Sequence, residues 1–247
     1  MSPSTLMAWV LLVLCSVLTL TRVPAAMRGH NRSSLFAFAL ISTVLALAIP
    51  NIYAAVDAAL GGMNLANLAS RVMLIGVFTI VGLRVAGAVG SFEAKETITG
   101  PLGNRVLALC ITATAATFFL ADVPTSSMGL NAYADQPWVE AYRFVSRLYP
   151  AFIAAALVRG CTRAARCTAR IPSARWAAGL FAAGFGLVMT LPVWHGLDFW
   201  FPMQPAIDAV TYTALVIVAL APTLSWISRR LDLRRQRNLI PRSKARV

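Results

Sequence analysis

Seven apolar blocks of about 15 to 21 residues, separated by short segments that hold nearly all the charge, constrain this chain more than any other feature. A helix needs roughly 20 residues to cross a hydrocarbon core. Every backbone N–H and C=O in that core has to find its partner inside the protein. Blocks of this length predict an all-α fold, a polytopic membrane helix bundle of about seven transmembrane helices. The residue-by-residue alternation that a transmembrane barrel requires is missing. Composition points the same way: 58% of the 247 residues are hydrophobic and 13% charged, with a mean hydropathy of +0.70, far from the usage of a soluble domain.

The helices are expected over Thr5–Thr21, Leu35–Tyr53, Leu65–Val85, Val106–Ala121, Val139–Val158, Trp176–Val193 and Ala206–Ile227. Residues 1–227 then form the transmembrane domain and 228–247 a short basic cytoplasmic tail. Lys and Arg fall in alternate connectors: Arg22, Arg28 and Arg32 in the first, Lys95 and Arg105 in the third, five arginines from Arg159 to Arg175 in the fifth, and eight basic residues in the tail. The connectors around 54–64, 122–138 and 194–205 have none. Basic residues are retained in the cytoplasm during insertion, so this asymmetry predicts the N-terminus outside and the C-terminus in the cytoplasm. Trp9, Trp138, Trp194 and Trp200 fall near the expected outer boundary, and Trp176 and Trp226 near the inner one, where amphipathic rings prefer to sit. The place expected for this multi-pass chain is the cell membrane.

A net charge of +13 is the electrostatic footprint of a nucleic-acid partner when it forms a stripe on a soluble fold. Here it is spent on topology, and no nucleic acid is expected. The tail from Arg229 to Arg237 instead suits anionic headgroups on the cytoplasmic side of the lipid bilayer. Cys15 and Cys110 lie in apolar runs, and Cys161 and Cys167 are separated by five residues with no histidine nearby, so neither a disulfide framework nor a zinc site is read. Residues 6–20 lack the positive flank of a signal peptide, and arginines follow the apolar run instead, as in a first helix inserted N-terminus out.

Four arginines fall inside expected helices, where an ionisable group costs roughly 2.5 to 3.5 kcal/mol at the centre unless it snorkels or is paired. Arg84 is near the inner end of its helix and can reach headgroups. Arg71, Arg143 and Arg147 are near the outer side, against the positive-inside trend. Asn64, Asn67 and Arg71 share one helical face, as do Glu140, Arg143 and Arg147, with Tyr142, Ser146 and Tyr149 adjoining. These spacings suggest a polar cavity open to the outside, lined by Arg71, Arg143, Arg147, Asp57, Glu140, Asp208, Tyr53 and Tyr212. Arg71 and Arg147 are expected there to pair with Asp57 or Asp208. The plainer alternative is a set of static ion pairs that lock the bundle. His195 reads as an interfacial residue. No paired acidic motif, HExxH or serine with a base at a common depth is present, so no enzyme activity and no cofactor are expected.

Pro50-Asn51-Ile52-Tyr53 with Asp57, followed by Gly61-Gly62-Met63-Asn64-Leu65-Ala66-Asn67-Leu68, resembles a group of actinobacterial seven-helix membrane proteins. In that group the same Pro, Tyr, Asp and Asn-Leu pattern joins the second and third helices, and a cytoplasmic domain of unknown function often follows the seventh. The present sequence ends soon after that helix, so the resemblance implies that any output passes to a separate protein. The expectation is a sensory or regulatory membrane protein that binds a ligand in its outer half and communicates with a cytoplasmic partner. The alternatives are a small-solute transporter or channel, and a structural or assembly subunit.

Overall fold

The computed structural model describes residues 3–217 except 30, 31, 199, 202, 212 and 215. The described residues are predominantly helical, with no strand among them. In chain order the helices are α1 (Pro3–Leu20), α2 (Val23–Met27), α3 (Arg32–Leu47), α4 (Pro50–Ala59), α5 (Leu65–Val89), α6 (Phe92–Thr99), α7 (Pro101–Leu120), α8 (Pro137–Arg166) and α9 (Pro172–Asp198). Residues 204–211 are again helical, at the start of the expected seventh span. The remainder of that span and the basic tail lie largely outside the described residues.

Four helices, α5, α7, α8 and α9, are long and apolar enough to cross a membrane, and a fifth span is added if α3 and α4 count as one broken crossing. The expected second helix, Leu35–Tyr53, is the one that differs most from its reading. It breaks at Ile49, whose extended φ of −98° and ψ of 121° follow from the clash a proline ring imposes on the residue before it. Pro50 then starts α4 as its first helical residue, turned 98° from the preceding segment. Elsewhere the helices run past their apolar cores. α8 continues to Arg166 because the Ala- and Arg-rich segment beyond Val158 propagates a helix well.

α8 is the centre of the fold and packs along α9, α7 and α5, while α3 bridges α5 to α1. The main core joins Ile75 and Val85 of α5, Ile153, Ala154 and Leu157 of α8, and Phe185 of α9. Gly82 permits the approach of α5 to α8: a Cβ there would lie 2.7 Å from Ile153 Cγ2. Successive long helices run in opposite directions, giving the bundle two ends. One, called here the basic end, carries Arg84, α6 and the α8–α9 connector. The other, the loop end, carries α4 and residues 121–136.

Candidate functional site

At the loop end the chain must restart a helix, α5, whose first N–H groups have no partner of their own. Asp57, fully buried at the side of α4, supplies it: Oδ2 accepts from the Asn64 N–H and Oδ1 from the Ala66 N–H, both at 3.1 Å. An anion placed at a helix N-terminus is favoured by the helix dipole as well. Gly61 and Gly62 make the turn possible with φ of 100° and 70°. Asn64 occupies the left-handed region at φ 58°, a conformation asparagine tolerates better than most residues. Its side chain ties the connector 121–136 to this turn. Nδ2 donates to the carbonyls of Val123 at 3.2 Å and Thr125 at 2.8 Å, while Oδ1 accepts from the Ser127 N–H at 2.6 Å and the Tyr53 hydroxyl at 3.0 Å. Residues 50–68 are therefore a folded junction in which Tyr53, Asp57, Asn64 and Asn67 each make a side-chain hydrogen bond.

One turn further along α5, Asn67 accepts from the Tyr142 hydroxyl of α8 at 3.2 Å, and the charge of Arg71 acts on the same tyrosine. Arg143 Nη2 donates to the Gly129 carbonyl at 3.0 Å and to Asn131 Oδ1 at 2.9 Å, while Arg147 Nη1 donates to the Arg143 carbonyl at 3.2 Å. The charges of Arg71 and Arg143 both act on Arg147, and all three act on His195 of α9. Asp198 and Asp208 attract Arg147 from a distance, and Glu140 and Asp198 attract Arg143. No ion pair within 4.0 Å joins Arg71, Arg143 or Arg147 to a carboxylate among the described residues. Two atoms beside this cluster are buried without a partner, Asn67 Nδ2 and His195 Nε2.

Of the residues expected to line one cavity, the fold gathers Arg71, Arg143 and Arg147, with half-buried Glu140 near Arg143. Asp57 and Tyr53 belong to the α4–α5 junction, where the Asp57 carboxylate is committed to backbone amides. Asp208 is exposed and accepts from Gln204 Nε2 at 3.2 Å. Tyr212 lies outside the described residues. Asn67, Tyr142 and His195 complete the cluster and were not assigned to it from sequence. The i, i+4 pairing of Asn67 with Arg71 was the legible signal for the first. His195 is buried, at 8% exposure, because α9 continues five residues past Val193 and keeps it against the bundle.

Comparison of the chain with family profiles, with curated proteins and with solved structures gives no match.

Proposed function

We propose that this chain is a seven-helix protein of the cell membrane, N-terminus outside, that senses a ligand at its loop end and passes its state to a cytoplasmic protein at its basic end. The topology rests on the alternation of basic connectors, and the resemblance of residues 50–68 to the actinobacterial seven-helix group agrees with it.

The observation that carries the sensory reading is that α8 bears both polar clusters. Arg143 and Arg147 are near its start, and Arg159 and Arg163, which pair with Glu93 of α6 at 3.0 and 3.2 Å, are near its end. Between them Pro150 has no N–H to offer the Ser146 carbonyl, so the helix has a built-in point of bending. On this reading a displacement at Arg147 reaches the α6 contact through α8. A transporter would need polar groups along the same stretch. Ile153, Ala154 and Leu157 fill it instead, all fully buried, which favours signalling over passage.

Two measurements test the proposal. A reporter active only in the cytoplasm should work when fused at Val247 or near Arg166 and fail near Ser127; activity at Ser127 overturns the topology. Cys167 is the exposed free cysteine at the basic end, so a fluorophore placed there in the full chain in nanodiscs should change its emission when Arg147 is replaced by Ala. Unchanged emission, or solute flux through proteoliposomes, overturns the sensory reading.

A further inference from the structure

A ligand class for the loop end follows from which donors are left over. Arg71, Arg143 and Arg147 come from two packed helices, and the hydrogen bond from Tyr142 to Asn67 fixes their register across the α5–α8 contact. The nearby carboxylates have other engagements. Asp198 accepts from the Met203 N–H at 2.6 Å, Asp208 is exposed and bonded to Gln204, and Asp57 holds the start of α5. Glu140 is half-buried on the face of α8 that carries Arg143.

Beside the cluster two buried polar atoms stay open, one an amide donor and the other an imidazole nitrogen that donates when it carries the ring proton. Asn67 is 4% and His195 8% exposed, and the amide nitrogen of the one and Nε2 of the other have no partner. Leaving buried polar atoms unpaired costs roughly 1 to 3 kcal/mol each, and bringing three like charges together adds repulsion. Both penalties fall when an acceptor carrying negative charge enters. Guanidinium forks match the paired oxygens of a carboxylate or phosphate, which a single-atom anion does not offer.

We propose that Arg71, Arg143 and Arg147, with Asn67, Tyr142 and His195, form a binding site for an oxyanion group, carried either by a small solute or by a lipid headgroup. This inference rests on the sensory reading for its biological use and not for its chemistry. Binding offsets the repulsion among the three arginines, in the part of α8 that precedes Pro150.

The test uses the full chain in an uncharged maltoside detergent at constant ionic strength, with thermal unfolding as the readout. Inorganic phosphate and succinate are compared with chloride, and phosphatidylglycerol is added in a separate arm. The expected result is a rise in Tm of about 3 to 5 °C at ten times Kd for at least one oxyanion, and none for chloride. A soluble anion acting alone assigns the site to a solute, and phosphatidylglycerol acting alone assigns it to a headgroup.

Arg147→Lys keeps the charge and loses the fork, and should weaken binding about ten-fold. Arg71→Gln should abolish binding, and Arg84→Gln at the basic end should leave it unchanged. The site is overturned if no oxyanion shifts Tm, if chloride acts equally, or if Arg84→Gln and Arg147→Lys behave alike. The Cys167 fluorophore separates the two ideas. Binding with no change in its emission retains the site and removes the sensory reading, whereas a response to Arg147→Ala without oxyanion binding does the reverse.

Discussion

The two ends of this bundle handle polar groups in opposite ways. At the loop end Asp57, Asn64, Asn67 and His195 are buried, and the partners of Asp57 and Asn64 come from connectors and helix starts. At the basic end Arg84, Glu93, Arg159 and Arg163 stay exposed, and half-buried Arg170 and Arg175 act on helix carbonyls that would otherwise be unpaired. Arg170 Nη2 donates to the Val89 carbonyl at 2.6 Å at the end of α5, and Arg175 Nε donates to the Ala165 carbonyl at 3.1 Å near the end of α8. Arg84 donates to the Ser33 hydroxyl through both Nε and Nη2. Cations beside helix C-termini are mildly favourable, while a buried carboxylate with two amide donors cannot lose either without a large penalty. Polar substitutions should therefore be costly at the loop end and cheap at the basic end.

The sharpest way to break that contrast is Asp57→Ala. It leaves the Asn64 and Ala66 N–H groups without an acceptor in a place water does not reach. The expected loss is about 3 kcal/mol, read by denaturant unfolding in mixed micelles. A loss below about 1 kcal/mol would mean that the junction does not hold α5.

A smaller effect is expected at Asn64, where two contributions separate. Asn64→Gly keeps a residue suited to the φ of 58° but loses the bonds to Val123, Thr125 and Ser127, for about 2 kcal/mol. Asn64→Ala adds the left-handed strain and should be worse by about 1 kcal/mol. Equal losses would show that the backbone conformation at Asn64 contributes nothing.

The basic end should be sensitive at a glycine, not at a charge. A Cβ on Gly160 would lie 2.8 Å from both Cβ and Oγ of Ser91, the residue that caps α6 by accepting from the Ala94 N–H at 3.3 Å. Gly160→Ala should cost about 1 to 2 kcal/mol through overpacking, measured by the same unfolding assay. A neutral result would mean that α6 can move away from α8 freely.

The contrast also governs what the sequence could tell. Charges at the basic end obey a rule about segments, so counting Lys and Arg between apolar blocks located that end without knowledge of any contact. The existence of the long helices was equally legible, and four of them, α5, α7, α8 and α9, meet the length and hydropathy needed to span. The break at Ile49 was announced by Pro50, but a proline also permits a mere kink, and the 98° turn depends on Asp57 and Asn64 holding α4 against the start of α5. At the loop end, faces could be read but engagement could not. Asp57 and Arg71 carry opposite charge near one boundary, and pairing looked natural until the amides at the start of α5 claimed the carboxylate. Backbone donors leave no trace in a residue pattern. His195 was hidden for a related reason: its burial follows from where α9 stops, and helix ends are the least legible feature of a sequence.

The smallest effect should come from the most conspicuous ionic feature. Glu93 bridges Arg159 and Arg163 at 3.0 and 3.2 Å, yet its side chain is 58% exposed and those of the arginines 70% and 58%. Solvent at that level of exposure screens the attraction, and three long side chains lose rotamer freedom to make it, so the pair of bridges should be worth under about 1 kcal/mol. Glu93→Gln retains the shape and removes the charge. Its stability loss should be small in low salt and vanish at about 1 M salt, where the screening length falls to about 3 Å. Wild type and Asp57→Ala provide the scale, since the loss at the buried carboxylate should persist in the same salt. If Glu93→Gln instead costs more than about 2 kcal/mol, or if its effect survives high salt, the α6–α8 contact is a dry, structural one. The basic end would then resemble the loop end, and the Glu93 bridges could no longer serve as the easily released contact to which a displacement along α8 is delivered.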